Sequence, residues 1–177
     1  MAYNGLGVKP ANAVVAGGKP IIQELKVEDS TNMYPRRLVK KGTHDDDVVV
    51  NTAAGNAIGW LGYEQCAPAF KPDTIDSLYA TGAKAPVVSG PGLIVVGRLA
   101  QGQNVTKGTM LVGAANGELT AATALTVKSG ATQVTSTAAN GSILTGTIGD
   151  QGRIVAIAEE SVDASSVAKY ILVRSMI

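Results

Sequence analysis

The spacing of its turns constrains this sequence most. From residue 43 onward, short runs of β-branched and aliphatic residues recur, closed by Gly, Asn, Pro or Ser about every 8–12 residues. The runs fall at 48–50, 57–63, 85–88, 93–100, 109–112, 118–121, 124–128, 132–137, 143–148, 152–159 and 168–174. Asn116-Gly117 is a strong hairpin signal, because both residues tolerate positive φ. Ser89-Gly90-Pro91-Gly92 and Gln101-Gly102-Gln103-Asn104 read as turns as well. Only residues 72–79 read as a short helix, with Pro72 in its first turn, or else as a loop. The expectation is an all-β chain: a compact β-barrel or sandwich of about ten short strands, with an extended N-terminal arm.

Composition narrows the function. Charged residues make up 16 % of the 177 residues, against about 25 % in an average globular protein. The net charge is +1, with one Trp, one Phe and five Tyr. Nucleic-acid binding needs clustered Lys and Arg or stacking rings, so it is not expected. No apolar run approaches the roughly 18 residues of a membrane-spanning helix, and the start lacks a basic region followed by an apolar one.

Residues 1–42 are expected to be an N-terminal arm and basic linker, and 43–177 the β-barrel domain. The arm carries a strand-like segment at 13–16 and one at 21–27 that reads as a strand or a single helical turn, and the arm is either a loose terminus or an element ordered on a neighbouring subunit. The linker holds the densest positive charge: Arg36, Arg37, Lys40 and Lys41 fall within six positions, followed by Asp45-Asp46-Asp47. Residues 123–149 carry a single charge, Lys128, and read as a Thr-rich hairpin insertion. Across 90–149 the only charges are Arg98, Lys107, Glu118 and Lys128, which makes this stretch a place to look for subunit contacts. A faint internal echo links residues 57–64 with 154–160: alternating small and large residues ending in acid.

Residues for chemistry are scarce. The chain has one Cys and one His, so no internal disulfide or cysteine-rich zinc site is expected. Cys66 has no basic neighbour or helix start in sequence to lower its pKa. His44 with Asp45-Asp46-Asp47 is a poor metal site, since consecutive strand residues face opposite sides. Glu159-Glu160 with Asp163 reads as solvated carboxylates. No Gly-x-Ser-x-Gly, Gly-x-Gly-x-x-Gly or Walker pattern is present. No catalytic, cofactor-binding or metal-binding residue is assigned.

Several segments together carry a resemblance. They are residues 35–42 leading into Asp46-Asp47-Val48-Val49-Val50, the 57–64 segment, Val105-Thr106-Lys107-Gly108-Thr109-Met110-Leu111-Val112 with Asn116-Gly117-Glu118-Leu119, residues 152–159, and the closing Ile171-Leu172-Val173-Arg174. In these, residues 31–177 resemble the capsid cement (head decoration) proteins of tailed phages and related viruses. The resemblance implies a non-enzymatic virion protein on the outer surface of an icosahedral capsid. It would be made in the host cytoplasm, bridge capsomers, bind the major capsid protein and form a homo-oligomer, with a trimer favoured. Candidate capsid or subunit contacts are Ile21 and Ile22 in the arm and Arg36, Arg37, Lys40 and Lys41 in the linker. The alternative is a receptor- or carbohydrate-binding β-module of a virion or cell surface. An enzyme would require His44, Cys66 and a carboxylate to meet in one pocket.

Overall fold

The computed structural model describes residues 9–53, 55–122 and 153–177. Among them are thirteen strands: β1 (Val15–Gly17), β2 (Ile21–Val27), β3 (Leu38–Lys41), β4 (Asp47–Val50), β5 (Ala57–Leu61), β6 (Lys84–Ser89), β7 (Ile94–Leu99), β8 (Gln103–Val105), β9 (Met110–Gly113), β10 (Leu119–Ala121), β11 (Ile154–Ala158), β12 (Val162–Ala164) and β13 (Lys169–Ser175). The chain is all-β, and the regular turn spacing is what produces it: each run is too short for a helix and is stopped by a turn residue.

The strands form two closed circuits of one topology. β2-β4-β3-β5-β6 closes as a barrel. The second sheet runs β1-β7-β10-β9-β11-β13, and the β7–β13 pairing returns its far end to β7. In each circuit the first strand pairs antiparallel with the last and parallel with the third, β2 with β4 and β7 with β10. The remaining pairings are antiparallel in both. Under this correspondence β5 is equivalent to β11, and these are the strands within residues 57–64 and 154–160 whose sequences echo one another. β8 and β12 add a two-stranded ribbon to the second circuit.

Alternation along the strands joins the circuits. Val39, Leu61 and Val87 point into the first barrel's own core, with Val27, Met33, Val48 and Tyr79. Their chain neighbours Leu38, Trp60 and Val88 point the other way, into a larger core shared with Val95, Leu99, Leu111, Leu119, Ile171 and Val173. Trp60 is fully buried there, and its indole N–H donates to the Ser175 hydroxyl at 3.2 Å. A side chain at Gly97 would put its Cβ 2.9 Å from both the Trp60 ring and Leu119, so only glycine lets the ring lie against β7.

The Asn116-Gly117 turn joins β9 to β10 with φ of 58° and 66°, as expected of a tight hairpin. Residues 72–79 form turns rather than a helix. Ile75 and Tyr79, four residues apart, would share one helical face, but Ile75 packs in the joint core and Tyr79 in the first barrel.

Residues 9–42 are built into both circuits instead of standing apart as an arm and linker. β1 lies along β7, Val14 is fully buried, and β2 and β3 are walls of the first barrel. The apolar character of 13–16 and 21–27 is the reason. The expected strands at 124–128, 132–137 and 143–148, the 123–149 insertion and residues 1–8 of the arm lie outside the described residues.

Candidate functional site

The linker cations separate by strand geometry. Arg36 and Arg37 precede β3 and turn inward, at 4 % and 7 % exposure. Arg36 adopts positive φ (71°), which aims its guanidinium across the chain. It donates to the carbonyls of Pro10 and Ala13 at 3.3 and 3.4 Å and to that of Ala11, and stacks on Tyr170 with its carbon 4.6 Å from the ring centre. Arg37 donates to Glu118 at 2.7 Å and to the Asn116 carbonyl at 3.0 Å. Burial depresses the Arg37 pKa, while the bond to Glu118 opposes that shift. Arg98 Nε lies 3.2 Å from the same Glu118 oxygen but makes no aligned hydrogen bond to it.

The two arginines therefore tie the first barrel to the second circuit and to residues 10–13, and present little to a partner. Charge density in the sequence could not reveal this, because Glu118 and Tyr170 are far away in the chain. Lys40 is half-buried, with its ammonium 3.3 Å from the Thr52 hydroxyl. Lys41 is exposed and pairs with Asp45 at 2.5 Å, which holds the Asp45 carboxyl below its ordinary pKa.

Ile21 and Ile22 begin β2 and are 63 % and 44 % exposed. They lie where the strand runs beyond the barrel core, since Leu25 and Val27 on the same strand are covered. Gln23 and Glu24 are exposed beside them. Phe70 and Leu78 form a separate apolar spot on a shallow cleft of about 500 Å³. A second cleft of about 310 Å³ is lined by Gly55, Val112, Gly113, Thr120, Arg153 and neighbouring small residues.

The groups considered for catalysis do not converge. Cys66 is buried in the first barrel core, where its thiol lies 3.5 Å from the Lys84 carbonyl and burial pushes its pKa up. His44 is exposed in the turn between β3 and β4. Glu159 pairs with Arg174 at 2.6 Å, Glu160 pairs with Lys9 at 2.7 Å, and Asp163 accepts the Ser165 amide at 2.9 Å. Among the described residues no three His, Cys, Asp or Glu side chains are grouped to hold a metal.

No protein-family model matches the chain, and no curated protein matches it. Among solved structures it is similar to the N base of the head fiber gp8.5 of bacteriophage phi29. That match has a TM-score of 0.46 and 10 % identity, covering 89 % of this chain and 94 % of that one.

Proposed function

We propose that this chain is a non-enzymatic structural protein of a virion. It decorates the outer surface of an icosahedral capsid, binds the major capsid protein across capsomers and acts as a homo-oligomer. The observation that carries the reading is the exposed apolar start of β2, where Ile21 and Ile22 are adjacent large apolar side chains at the surface. Such a patch suits a mild contact repeated over many subunits, which gains strength from multivalency. Lys41 stands on the exposed surface and supplies the polar part of the contact. Arg36 and Arg37 serve inside the chain.

The residue resemblance to cement proteins supports the same reading. A carbohydrate platform fits less well, because Trp60 and Tyr79 are fully buried and Tyr170 lies under Arg36. The test is cosedimentation of the purified full chain with capsids of the virus that encodes it. Saturable binding, reduced by Ile21→Asp with Lys41→Glu, is expected. Protein that stays in the supernatant at all capsid concentrations overturns the reading.

The first trial should not be removal of residues 1–20. That deletion takes away β1 and buried Val14, whose amide donates to Glu64 at 3.0 Å, and strips the carbonyls that hold Arg36.

A further inference from the structure

β2 is walled on one side by β6 along residues 21–26, but on the other by β4 only at Lys26 and Val27. Among the described residues, no strand lies against residues 21–25 on that second side. Main-chain groups of successive strand residues point to opposite edges. The Lys26 and Glu28 amides donate toward β4, to Asp46 and Val48 carbonyls at 2.8 and 3.1 Å, and the Val27 amide donates the other way, to Ala83 at 2.8 Å. Counting back, Ile22 and Glu24 present their N–H and C=O groups to the open edge.

The equivalent edge in the second circuit is filled. β7 meets β10 only at Leu99, and the Ala100 amide donates to the Leu119 carbonyl at 2.8 Å. Four residues earlier, the Val96 amide donates to the Val14 carbonyl at 2.8 Å, because β1 lies antiparallel along β7. By the shared topology, Lys26 corresponds to Ala100 and Ile22 to Val96. The fold thus accepts an added antiparallel strand at this place, and in the first barrel the described chain does not provide one.

We propose that the open edge of β2 takes β2 of a second copy of this chain, antiparallel about a two-fold axis at Gln23. The inference deepens the contact role given above to Ile21 and Ile22, and it rests on that surface rather than on a capsid. The notch selects the occupant and its register. It is bounded by the turn before β4 at Leu25 and by Pro20, which has no N–H to continue a ladder.

Centred on Gln23, the pairing sets Ile22 against Glu24 at the hydrogen-bonded positions and Ile21 against Leu25 at the closer, non-hydrogen-bonded ones. A shift of the axis to Glu24 sets two carboxylates directly opposite. A shift to Ile22 brings Pro20 into the ladder. In the central register the partner copy's β2 enters at the turn before β4. Its preceding lysine, exposed like Lys19 here, arrives beside the exposed Asp46. Each protomer offers the same surface, as a two-fold contact requires.

Sedimentation equilibrium of the purified full chain tests this without any capsid. A dimer, or an even-numbered assembly, is expected for the wild type. Ile22→Pro removes an amide from the open edge and none from the β6 ladder. It is expected to raise the dissociation constant at least about tenfold while the circular dichroism spectrum is kept. Lys19→Glu is expected to weaken association, and Lys19→Glu with Asp46→Lys to restore it. A wild-type monomer, a trimer, or a dimer indifferent to Ile22→Pro overturns the proposal. A monomer would assign the edge to the chain's own residues outside the described set or to a foreign strand. Failure here leaves capsid binding untouched, and failure of capsid binding leaves these masses unchanged.

Discussion

The two circuits have the same strand order but opposite fates at one edge. Both close through a short parallel contact, two residue pairs between β2 and β4 and one between β7 and β10. Parallel closure this short leaves most of the first strand uncovered. In the second circuit β1 pairs with it at Ile94 and Val95, and Ile94 to Leu99 are all buried or half-buried. In the first barrel residues 21–24 stay exposed. Topology therefore sets where an extra strand fits, and the rest of the chain sets whether the place is occupied from within.

The largest effect is expected where the circuits join. Trp60→Ala empties a fully buried indole site in the shared core and leaves Ser175 without its donor, at a cost of about 3–5 kcal/mol. Chemical denaturation would show it. A loss below about 1 kcal/mol would mean the circuits are stable without one another.

Next is the matched proline pair. Val96→Pro, in a buried strand whose amide is bonded to Val14, should cost about 3 kcal/mol or more. Ile22→Pro, at the equivalent open position, should change the stability of the isolated protomer by less than about 0.5 kcal/mol. Equal losses in thermal melts would break the correspondence between the circuits.

Third is the Arg37–Glu118 tie. Glu118→Ala leaves a buried guanidinium facing Arg98 with no carboxylate, and should cost about 2–3 kcal/mol. Arg37→Met with Glu118→Leu should recover much of it, since replacing both partners removes the desolvation cost.

The smallest effect is a pH dependence in the first barrel. The Glu28 carboxylate accepts the Thr43 hydroxyl and, at 2.7 Å, the Thr43 amide, which together hold its pKa below the ordinary value. A depressed folded pKa means the clamp contributes fully above the unfolded pKa. Its contribution fades as pH falls through the folded one. Amide exchange at Thr43 should therefore quicken in acid relative to Ser175, whose amide donates to the Leu93 carbonyl at 2.7 Å. Parallel behaviour of the two amides would remove Glu28 from the account.

Much of this was legible in residue order. Strands β2, β4, β6, β7, β9, β10, β11 and β13 fall where β-branched runs fall, because burial of alternate side chains needs that pattern. β3 was hidden inside the basic run, since its lysines lie at the strand's solvent end. β8 and β12 were hidden because Gln103-Asn104 and Asp163 are turn-type residues inside strands of only three residues. Ile21 and Ile22 could be picked out as apolar residues in a poorly patterned segment, and they are exposed. Arg36 and Arg37 could not be sorted from Lys40 and Lys41, because the difference lies in carbonyls at residues 10–13 and a carboxylate at residue 118.

By itself, then, the sequence determined the all-β class, the turn positions and the shortage of chemistry-bearing groups, all of which depend on local patterns. The tertiary structure alone decided that the strands divide into two circuits of one topology, that the arginines turn inward, and that the described residues leave one edge of β2 open. Those outcomes depend on which distant strands meet. Ring closure is set by packing between residues far apart in the chain, and no local period encodes it.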